Sequence, residues 1–475
     1  MDLVSDDRIR TIKFEELARA HHLPLLGFRQ QEVTQVHVRL VDAQGTTTPY
    51  GPFEVVTLSL PEDFPVLDTL VHDVDRVAPG YLAFDATVVE DSRYIVLDDA
   101  LQPIWVYQNV DSGLDGRVGP DGTWWIQGAR GGALHLTWLG EVLQQWGGTP
   151  LATGIHAPLD IGELHHELFP DGQGGLFSLS AVATAVPAYP TNYDEPTVLG
   201  GPATLRDSTI VHIDSLGGVL SEFRLGDVLD TTRITFDSIT PTEGYLLDWS
   251  HANALCLSEA GGYTVSVRNQ DAIVGLAPDG SLNWILGDAA GHTGMQADAL
   301  LETLTEGLPP YHMHGGCWEE DGSYVLFDNS NAGHTPYSNN PHPDWTGKSR
   351  AVAYAVDPDA GTYEELWSLD ETFVGKLFVE ARGDADLLPN GGVLVDYGTV
   401  KKEPNTNHKD EGWGDSTFHI VEFGSTQNGD VVLQIRARSD RTTNEQGFVS
   451  YRAERLPALY PAEGLIRATE SLVTF

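Results

Sequence analysis

Histidines recur in this chain at the starts of three segments that have the composition of β-strands. They are His165 and His166, His251, and His312 and His314. A neutral imidazole can attack an electrophile or carry a proton near neutral pH, because it titrates in that range. A single histidine of this kind is more often structural than functional. The prediction of a site therefore depends on their recurrence at matching places in successive segments.

Two further polar residues lie near His251 in the sequence. Asn253 follows it by two positions, and Arg268 lies among apolar, strand-like residues in the segment 266–270. A guanidinium group is costly to bury unless it meets an anion. That anion could be a bound ligand or the carboxylate of an Asp in a structural ion pair, and the sequence leaves both open.

A short turn pattern is repeated between apolar segments along the chain. It consists of Pro or Glu, then Asp or Asn, then Gly, and the last two residues tolerate the positive φ of a tight hairpin. The five copies lie at residues 120–122, 170–172, 278–280, 320–322 and 389–391. Grouping the hairpins gives six units of unequal length, at residues 80–110, 116–147, 162–228, 246–290, 310–371 and 382–440.

Repeated small antiparallel sheets, each unable to bury both faces alone, are typical of a β-propeller. We therefore predict an all-β fold, with a six-bladed β-propeller over residues 79–475 and an N-terminal extension or small β subdomain over residues 1–78. Two separate β-sandwich domains are the competing architecture, which the regular recurrence of the turn disfavours. The tail over residues 447–457 is expected to return to the first or last blade and to close the ring.

A propeller would give the histidines a common location. Residues at the starts of the innermost strands lie around one mouth of the central channel, so groups roughly 60 to 90 residues apart in the sequence can meet in one pocket. We expect His166, His251, His314 and Arg268 to share that pocket.

At these residues the sequence resembles the bacterial aryl-sulfate sulfotransferase family, whose members use a phenolic sulfate ester in place of a nucleotide sulfate donor. The resemblance is strongest over residues 246–330, where the segments 248–253, 284–287 and 327–329 look like family motifs in family order. Weaker similarity extends from about residue 79 to residue 460. The resemblance implies a six-bladed propeller and a histidine that is transiently sulfated, with no cofactor and no metal.

The resemblance also implies roles for individual residues. His314 looks like the counterpart of the family's nucleophile, and His166 looks like an additional active-site histidine. His251, Asn253 and Arg268 match the family's sulfate-binding His-x-Asn element and strand arginine.

The chain departs from the family pattern beside two of these histidines. Met313 replaces a Gln of the family, and His312 is a rival nucleophile that would face the same side as His314 in a strand. His165 likewise competes with His166. We include His312 and His165 among the expected substrate-binding residues.

The large excess of acidic over basic residues limits the classes of partner that the protein can bind. The chain has 27 Lys and Arg against 69 Asp and Glu, a formal net charge of −42, and only six residues are Lys. A duplex-binding role is disfavoured, because phosphate contacts need basic surface. An acidic, Lys-poor surface is typical of proteins from salt-loving organisms, since concentrated salt screens the repulsion between carboxylates. The expected partners are a small aryl sulfate donor and a phenolic acceptor.

The sequence predicts a cytoplasmic protein. The first residues show no signal-peptide pattern, and no window approaches the apolar length of a membrane span. The two cysteines, Cys256 and Cys317, are too few for a disulfide scaffold and are expected to be buried free thiols.

Two other function classes remain open. The converging histidines, with Glu167 or Asp384 nearby, could hold Zn²⁺, Fe²⁺ or Ca²⁺ in a metal-dependent lyase or hydrolase. A non-catalytic propeller that serves as a binding platform is the second alternative. Such a platform has no need for histidines and an arginine at one mouth.

Overall fold

The regular structure of this chain is nearly all β-strand. The computed structural model describes all residues except 6–7, 15–17, 22, 89–90, 110–114, 129–130, 149, 152–153, 243–245, 259–260, 339–347, 371–373, 375–376, 401–415, 440–446 and 460–475. The first strands are β1 (Asp2–Val4), β2 (Ile9–Thr11), β3 (Val33–Val41), β4 (Thr47–Val56), β5 (Val66–His72), β6 (Tyr81–Val88), β7 (Asp91–Leu97) and β8 (Pro103–Asn109).

The middle of the chain continues the same pattern. Its strands are β9 (Gly116–Val118), β10 (Trp124–Gly128), β11 (Gly132–Leu136), β12 (Val142–Trp146), β13 (Ile155–Ala157), β14 (His165–Pro170), β15 (Leu176–Val186), β16 (Ala203–Ile213), β17 (Val219–Arg224), β18 (Ala252–Leu257), β19 (Tyr263–Val267), β20 (Ala272–Leu276) and β21 (Leu282–Gly287). Two 3₁₀ turns, Leu225–Asp227 and Arg268–Gln270, lie among them.

The last third holds one short helix and ten strands among its described residues. These elements are α1 (Met295–Asp298), β22 (Glu302–Thr303), β23 (His314–Trp318), β24 (Tyr324–Asp328), β25 (Arg350–Asp357), β26 (Thr362–Asp370), β27 (Asp384–Leu387), β28 (Val393–Val400), β29 (Thr417–Phe423), β30 (Val431–Arg438) and β31 (Ala453–Leu456). In the part of the chain that the structure describes, no helix is long and apolar enough to cross a membrane.

The strands of the described residues form an N-terminal sheet and six further sheets. The N-terminal sheet has the order β2-β1-β3-β4. The others are sheet 1 (β31-β6-β7-β8), sheet 2 (β13-β12-β11-β10-β9), sheet 3 (β14-β15-β16-β17), sheet 4 (β18-β19-β20-β21), sheet 5 (β22-β26-β25-β24-β23) and sheet 6 (β27-β28-β29-β30-β5). The consecutive hairpins of each sheet lie within one of the six predicted units.

An apolar core fills the space between each pair of neighbouring sheets, so that the six sheets form a ring. The cores between sheets 1 and 2, 2 and 3, and 3 and 4 include Val96 with Trp124, Trp146 with Leu176, and Leu179 with Val265. Those between sheets 4 and 5, 5 and 6, and 6 and 1 include Trp284 with Leu326, Phe327 with Val395, and Phe418 with Phe84. The predicted all-β propeller is confirmed.

The repeated turn forms a hairpin at each of its five positions, for one local reason. The turn glycines Gly122, Gly172, Gly280, Gly322 and Gly391 all have φ between 72° and 83°. The preceding Asp or Asn accepts, through its side-chain oxygen, a hydrogen bond from the backbone two residues later, as Asp279 does from Ser281 at 3.0 Å. The Asp or Asn side chain thus favours the turn, and the glycine adopts the left-handed backbone conformation that the turn requires.

Segments from both ends of the chain join sheets of the ring. Strand β5 pairs antiparallel with β30 at the outer edge of sheet 6, and β31, from the C-terminal segment, pairs antiparallel with β6 in sheet 1. The N-terminal sheet is tied to sheet 1 by Arg8 and Arg29, which both pair with Asp98, at 3.1 and 2.7 Å. A domain boundary near residue 78 stays a prediction.

The expectation of two free thiols is wrong. Cys256 of β18 and Cys317 of β23 form a disulfide that joins sheets 4 and 5, with a Cα–Cα distance of 5.2 Å. The apolar surroundings of each cysteine indicated burial, but they could not show that two strands 61 residues apart are neighbours. Disulfides persist mainly in oxidising compartments.

Candidate active site

The predicted site histidines lie at, or within two residues before, the starts of innermost strands. His165 and His166 begin β14, His251 immediately precedes β18, and His314 begins β23. These three strands contact one another in succession around the ring. Each has a bulge at its start, where the pairing register shifts. A bulge re-aims the side chains beside it.

Backbone geometry at these positions is unusual. His166, His251 and His312 have φ of 65°, 46° and 53°. Residues other than glycine seldom adopt this left-handed region, and such strain is concentrated at functional sites. The three positions thus share a local conformation as well as a place in the sheet.

Three histidines and one tyrosine lie together at the strand starts, and we name them the histidine cluster: His166, His251, His314 and Tyr451. The ring centroids of His166 and His251 are 5.4 Å apart. Tyr451 lies 5.7 Å from His166 and 6.3 Å from His314. The hydroxyl of Tyr451 donates to the carbonyl oxygen of Asn253. Residues far apart in the sequence therefore meet in one buried group.

His251 is oriented by an aspartate three residues earlier. Its Nδ1 donates to Oδ2 of Asp248. Burial would raise the pKa of Asp248, but the charge and hydrogen bond of His251 outweigh it and lower that pKa to about 2. The carboxylate therefore holds the Nδ1 proton. Nε2 is the nitrogen left for a reacting group, and a quarter of the side chain is exposed.

His314 is fixed in one tautomer by its surroundings. Its Nδ1 donates to Oδ1 of Asn329 at 2.7 Å, and the amide of Asn329 is oriented because its Nδ2 donates to the carbonyl oxygens of Val379 and Arg382. Nε2 accepts a hydrogen bond of 3.1 Å from the backbone N–H of Arg382. Burial, reinforced by the positive charge of Arg268, holds the pKa of His314 well below its usual range. The ring is therefore neutral, with its lone pair on Nε2.

His312 has the opposite character, although it is only two residues away. Its Nδ1 donates to Asp271 at 2.8 Å and its Nε2 to the carbonyl oxygen of Phe236 at 3.1 Å. Burial would lower its pKa, but the carboxylates of Asp271 and Asp237 raise it to about 9. With both nitrogens protonated, His312 has no lone pair for attack.

The expectation that His312 and His314 face the same side is wrong. Strand β23 begins only at His314, and His312 lies before it with positive φ. The backbone therefore turns between them and directs the two rings to different partners. Met313 between them packs in the core of sheets 4 and 5.

His165 and His166 form a pair. A hydrogen bond of 2.7 Å joins their Nδ1 atoms, so one ring donates and the other accepts. Burial lowers the pKa of His165 to about 3 and that of His166 well below its usual range. Both rings are neutral, and His165 supports His166 from behind the cluster.

Arg268 lies at the end of β19, in the turn Arg268–Gln270, and not within the strand as expected. Its backbone N–H donates to the carbonyl oxygen of His251 at 3.2 Å, which places it beside the cluster. Nη1 donates to Oδ1 of Asn269 at 2.7 Å and Nη2 to Oδ2 of Asp237 at 3.2 Å. Arg268 therefore pairs with an aspartate, which is one of the two anions that the sequence left open.

Asn253 links two neighbouring sheets. Its Nδ2 donates to the backbone carbonyl oxygen of Met313 at 2.7 Å. This bond connects β18 with the residue that precedes His314. Its Oδ1 is buried without a hydrogen-bond partner among the described residues.

The two carboxylates considered for a metal site do not join the histidines. Glu167 pairs with Arg452 at 2.7 Å and also with Arg117, and Asp384 lies 3.7 Å from Arg452. Asp115 completes this group, which we name the arginine–carboxylate cluster. Among the described residues, no group of three or more His, Cys, Asp and Glu side chains is arranged to hold a metal ion.

Sequence reasoning missed four residues that surround the predicted ones. Asp248 lies three residues before His251, a spacing that could have suggested a pair. Tyr451 is in the tail that was expected to close the ring. Asp237 and Arg382 lie in loops, where no local sequence pattern indicates a functional role. Both have left-handed φ, of 73° and 71°.

The cluster thus holds two buried, neutral rings, His166 and His314, with His251 and an arginine beside them, an arrangement suited to bind and attack an anionic group. The arylsulfotransferase (ASST) family model matches residues 151–452, more than half of the chain. The chain belongs to the arylsulfotransferase family, and this membership supports an aryl sulfotransferase activity. No curated protein matches the sequence.

Solved structures resemble the chain only distantly. A protein of unknown function from Bacteroides caccae is 13% identical, over 79% of this chain and 100% of that one, with a TM-score of 0.43. A protein from Lactobacillus plantarum is 11% identical, over 78% and 99%, with a TM-score of 0.36. A luciferin-regenerating enzyme is 10% identical, over 79% and 95%, with a TM-score of 0.34. These similarities carry no argument about function.

Proposed function

We propose that this protein transfers a sulfuryl group from an aryl sulfate ester to a phenolic or alcohol acceptor, through a transient sulfohistidine at His314. The observation that carries the proposal is the state of His314. It is buried and neutral, its Nδ1 proton is fixed by Asn329, and its Nε2 lone pair faces a backbone amide.

In the first half-reaction, Nε2 of His314 attacks the sulfur atom of the donor. An N–S bond forms and the S–O bond to the aryl group breaks, and the electron pair leaves with the phenolate oxygen. Attacking and leaving atoms lie in line, as in phosphoryl transfer. The N–H of Arg382 must give up its bond to Nε2 and can then donate to a sulfuryl oxygen.

Arg268 and His251 stabilise the negative charges that develop on the sulfuryl oxygens and on the leaving phenolate. The guanidinium of Arg268 presents a rigid pair of donors to sulfuryl oxygens. His251, oriented by Asp248, gives a proton from Nε2 to the leaving phenolate, a step that contributes about 10²–10⁴-fold to the rate. In the second half-reaction His251 takes the proton of the acceptor hydroxyl, whose oxygen attacks sulfur and releases neutral His314.

The remaining residues of the site hold these groups in place. Tyr451 and His166 enclose the cluster, and Asn253 ties β18 to the start of β23. His312 is a fixed positive charge beside Arg268. No metal or nucleotide is needed for any step. The predicted cytoplasmic location and the adaptation to concentrated salt stay predictions.

The experiment is an assay with a chromogenic aryl sulfate and a phenol acceptor, without nucleotide sulfate or added metal, at several KCl concentrations. Release of the chromophore should depend on the acceptor. His314→Ala should abolish transfer. His212→Ala is the matched control, because His212 pairs with Asp171 at 3.0 Å outside the site. Full activity of His314→Ala would overturn the mechanism.

A further inference from the structure

We propose that Asp237 occupies the anion position on Arg268 when no donor is bound, and that the sulfate group of the donor displaces it. Asp237 would then determine the affinity of the site for an anion and the charge of the anion that the site prefers. The identity of that anion as a sulfate ester rests on the function proposed above.

Two cations and one exposed carboxylate meet at this point. Oδ2 of Asp237 lies 3.2 Å from Nη2 of Arg268 and 3.6 Å from Nε2 of His312. The side chains of Arg268 and His312 are 10% and 1% exposed, whereas that of Asp237 is 44% exposed. The cations are therefore enclosed, and the carboxylate is the partner that solvent or a ligand can reach.

The cations are held without the help of Asp237. His312 is bonded by Asp271, which accepts from both its Nδ1, at 2.8 Å, and its backbone N–H, at 2.9 Å. Arg268 is bonded by the side chain of Asn269, at 2.7 Å, and by its backbone link to His251. Displacement of Asp237 therefore leaves the two cations in place.

Charge balance indicates which ligand fits. Arg268 and His312 carry two positive charges, and the fully buried Asp271 supplies one negative charge. Arg233, which interacts with Asp271, and Asp248, which interacts with Arg268, add one charge of each sign. One further negative charge therefore neutralises the group, and Asp237 provides it. A sulfate monoester carries one negative charge and can replace Asp237 one for one. A phosphate monoester carries about −1.5 to −2 at pH 7 and would leave excess negative charge in a buried place.

The backbone at Asp237 allows a clean test. Its φ of 73° lies in the left-handed region, which Asp and Asn tolerate better than other residues except glycine. Asp237→Asn therefore removes the charge while it keeps the shape. Asp237→Gly removes the whole carboxylate and suits the same backbone, so it is a second variant should the first fail to fold.

The experiment measures binding of benzenesulfonate, a monoanion whose sulfur cannot be transferred, by isothermal titration calorimetry at constant chloride. Asp237→Asn and Asp237→Gly should each bind it about tenfold more tightly than the wild type, because a competing charged hydrogen bond has been removed. Asp121→Asn is the matched control, since Asp121 pairs with His135 at 3.0 Å and is 46% exposed. Unchanged or weaker binding in the Asp237 variants would overturn the proposal.

Turnover separates this inference from the proposed function. In the aryl sulfate assay, Asp237→Asn should lower the KM for the donor and leave kcat within a few-fold. A fall in kcat with an unchanged KM would make Asp237 a positioning residue and contradict the displacement. Tighter benzenesulfonate binding without any wild-type turnover would refute the proposed function and leave this inference standing.

Discussion

The histidine cluster and the arginine–carboxylate cluster are both buried and polar, and two segments contribute to both. Strand β14 contributes His166 to the first and Glu167 to the second, and the tail contributes Tyr451 to the first and Arg452 to the second. The chemistry of the two groups is nevertheless opposite.

The two clusters differ in how burial affects the protonation of their residues. In the histidine cluster burial lowers the pKa of His166 and His314, and the rings stay neutral with available lone pairs. In the arginine–carboxylate cluster burial raises the pKa of Glu167 to about 7, against the charges of Arg452 and Arg117. The first arrangement leaves reactive groups and the second leaves paired charges, so we expect the second to be mainly structural.

The largest expected effect concerns the arginine–carboxylate cluster. Arg452→Met should destabilise the protein by about 3–5 kcal/mol, because Glu167, Asp115 and Asp384 lose a shared buried partner. Urea unfolding measures this change. Arg76→Met is the control: Arg76 is half exposed and pairs with Asp430 at 3.2 Å, so its loss should cost less than about 1 kcal/mol. Equal costs for the two variants would contradict a structural role of the cluster.

The next prediction contrasts the pH dependence of the stability that His312 contributes with that of His165. The folded-state pKa of His312, about 9, lies above the ordinary value of 6.5, so its contribution to stability is complete below pH 6.5 and is lost as pH rises through 9. His165, with a pKa of about 3, contributes above pH 6.5, and its contribution is lost as pH falls toward 3.

The measurement is the free energy of unfolding between pH 7 and pH 9, compared between the wild type and His312→Gln. The wild type should lose about 2 kcal/mol there. His312→Gln should flatten the slope in this window. A slope that persists in His312→Gln would show that His312 is not the buried imidazolium described here.

The last contrast concerns the orientation of His251. Asp248→Asn removes the carboxylate that fixes the Nδ1 proton, so kcat should fall by about 10²-fold while the fold is retained. The pH profile of kcat should shift as well, because the ring of His251 loses the negative charge beside it. Asp171→Asn, which breaks the equivalent pair with His212 in sheet 3, should leave kcat unchanged. Equal kcat in wild type and Asp248→Asn would remove His251 from proton transfer.

Local chemistry made much of the fold predictable. The five Asp-Gly or Asn-Gly turns depend on neighbouring residues alone, and each forms the expected hairpin. Four strands of the six ring sheets, β5, β13, β22 and β31, lie outside the predicted units, because their pairing partners are distant in sequence or run parallel. Of these, the return of the tail that forms β31 was expected. The disulfide between Cys256 and Cys317 escaped prediction for the same reason.

The features of the site likewise divide into those that the local sequence predicts and those that depend on distant residues. The placement of histidines at strand starts follows from the repeat, so it was visible in the sequence. Their protonation was not, because it depends on residues from other segments. Asp271, which charges His312, lies 41 residues before it, and Asn329, which fixes His314, lies 15 residues after it. Sequence spacing gives no measure of either contact.

The most direct test of the account is to look for the sulfated nitrogen itself. The protein is mixed with an aryl sulfate without acceptor, quenched at alkaline pH, digested and mapped by mass spectrometry. Transfer through His314 predicts the mass of one sulfuryl group on the peptide that contains His314, located on that residue and lost when a phenol is added before quenching. A sulfuryl group on His251 or His312 instead, or turnover with no modified histidine, would contradict it.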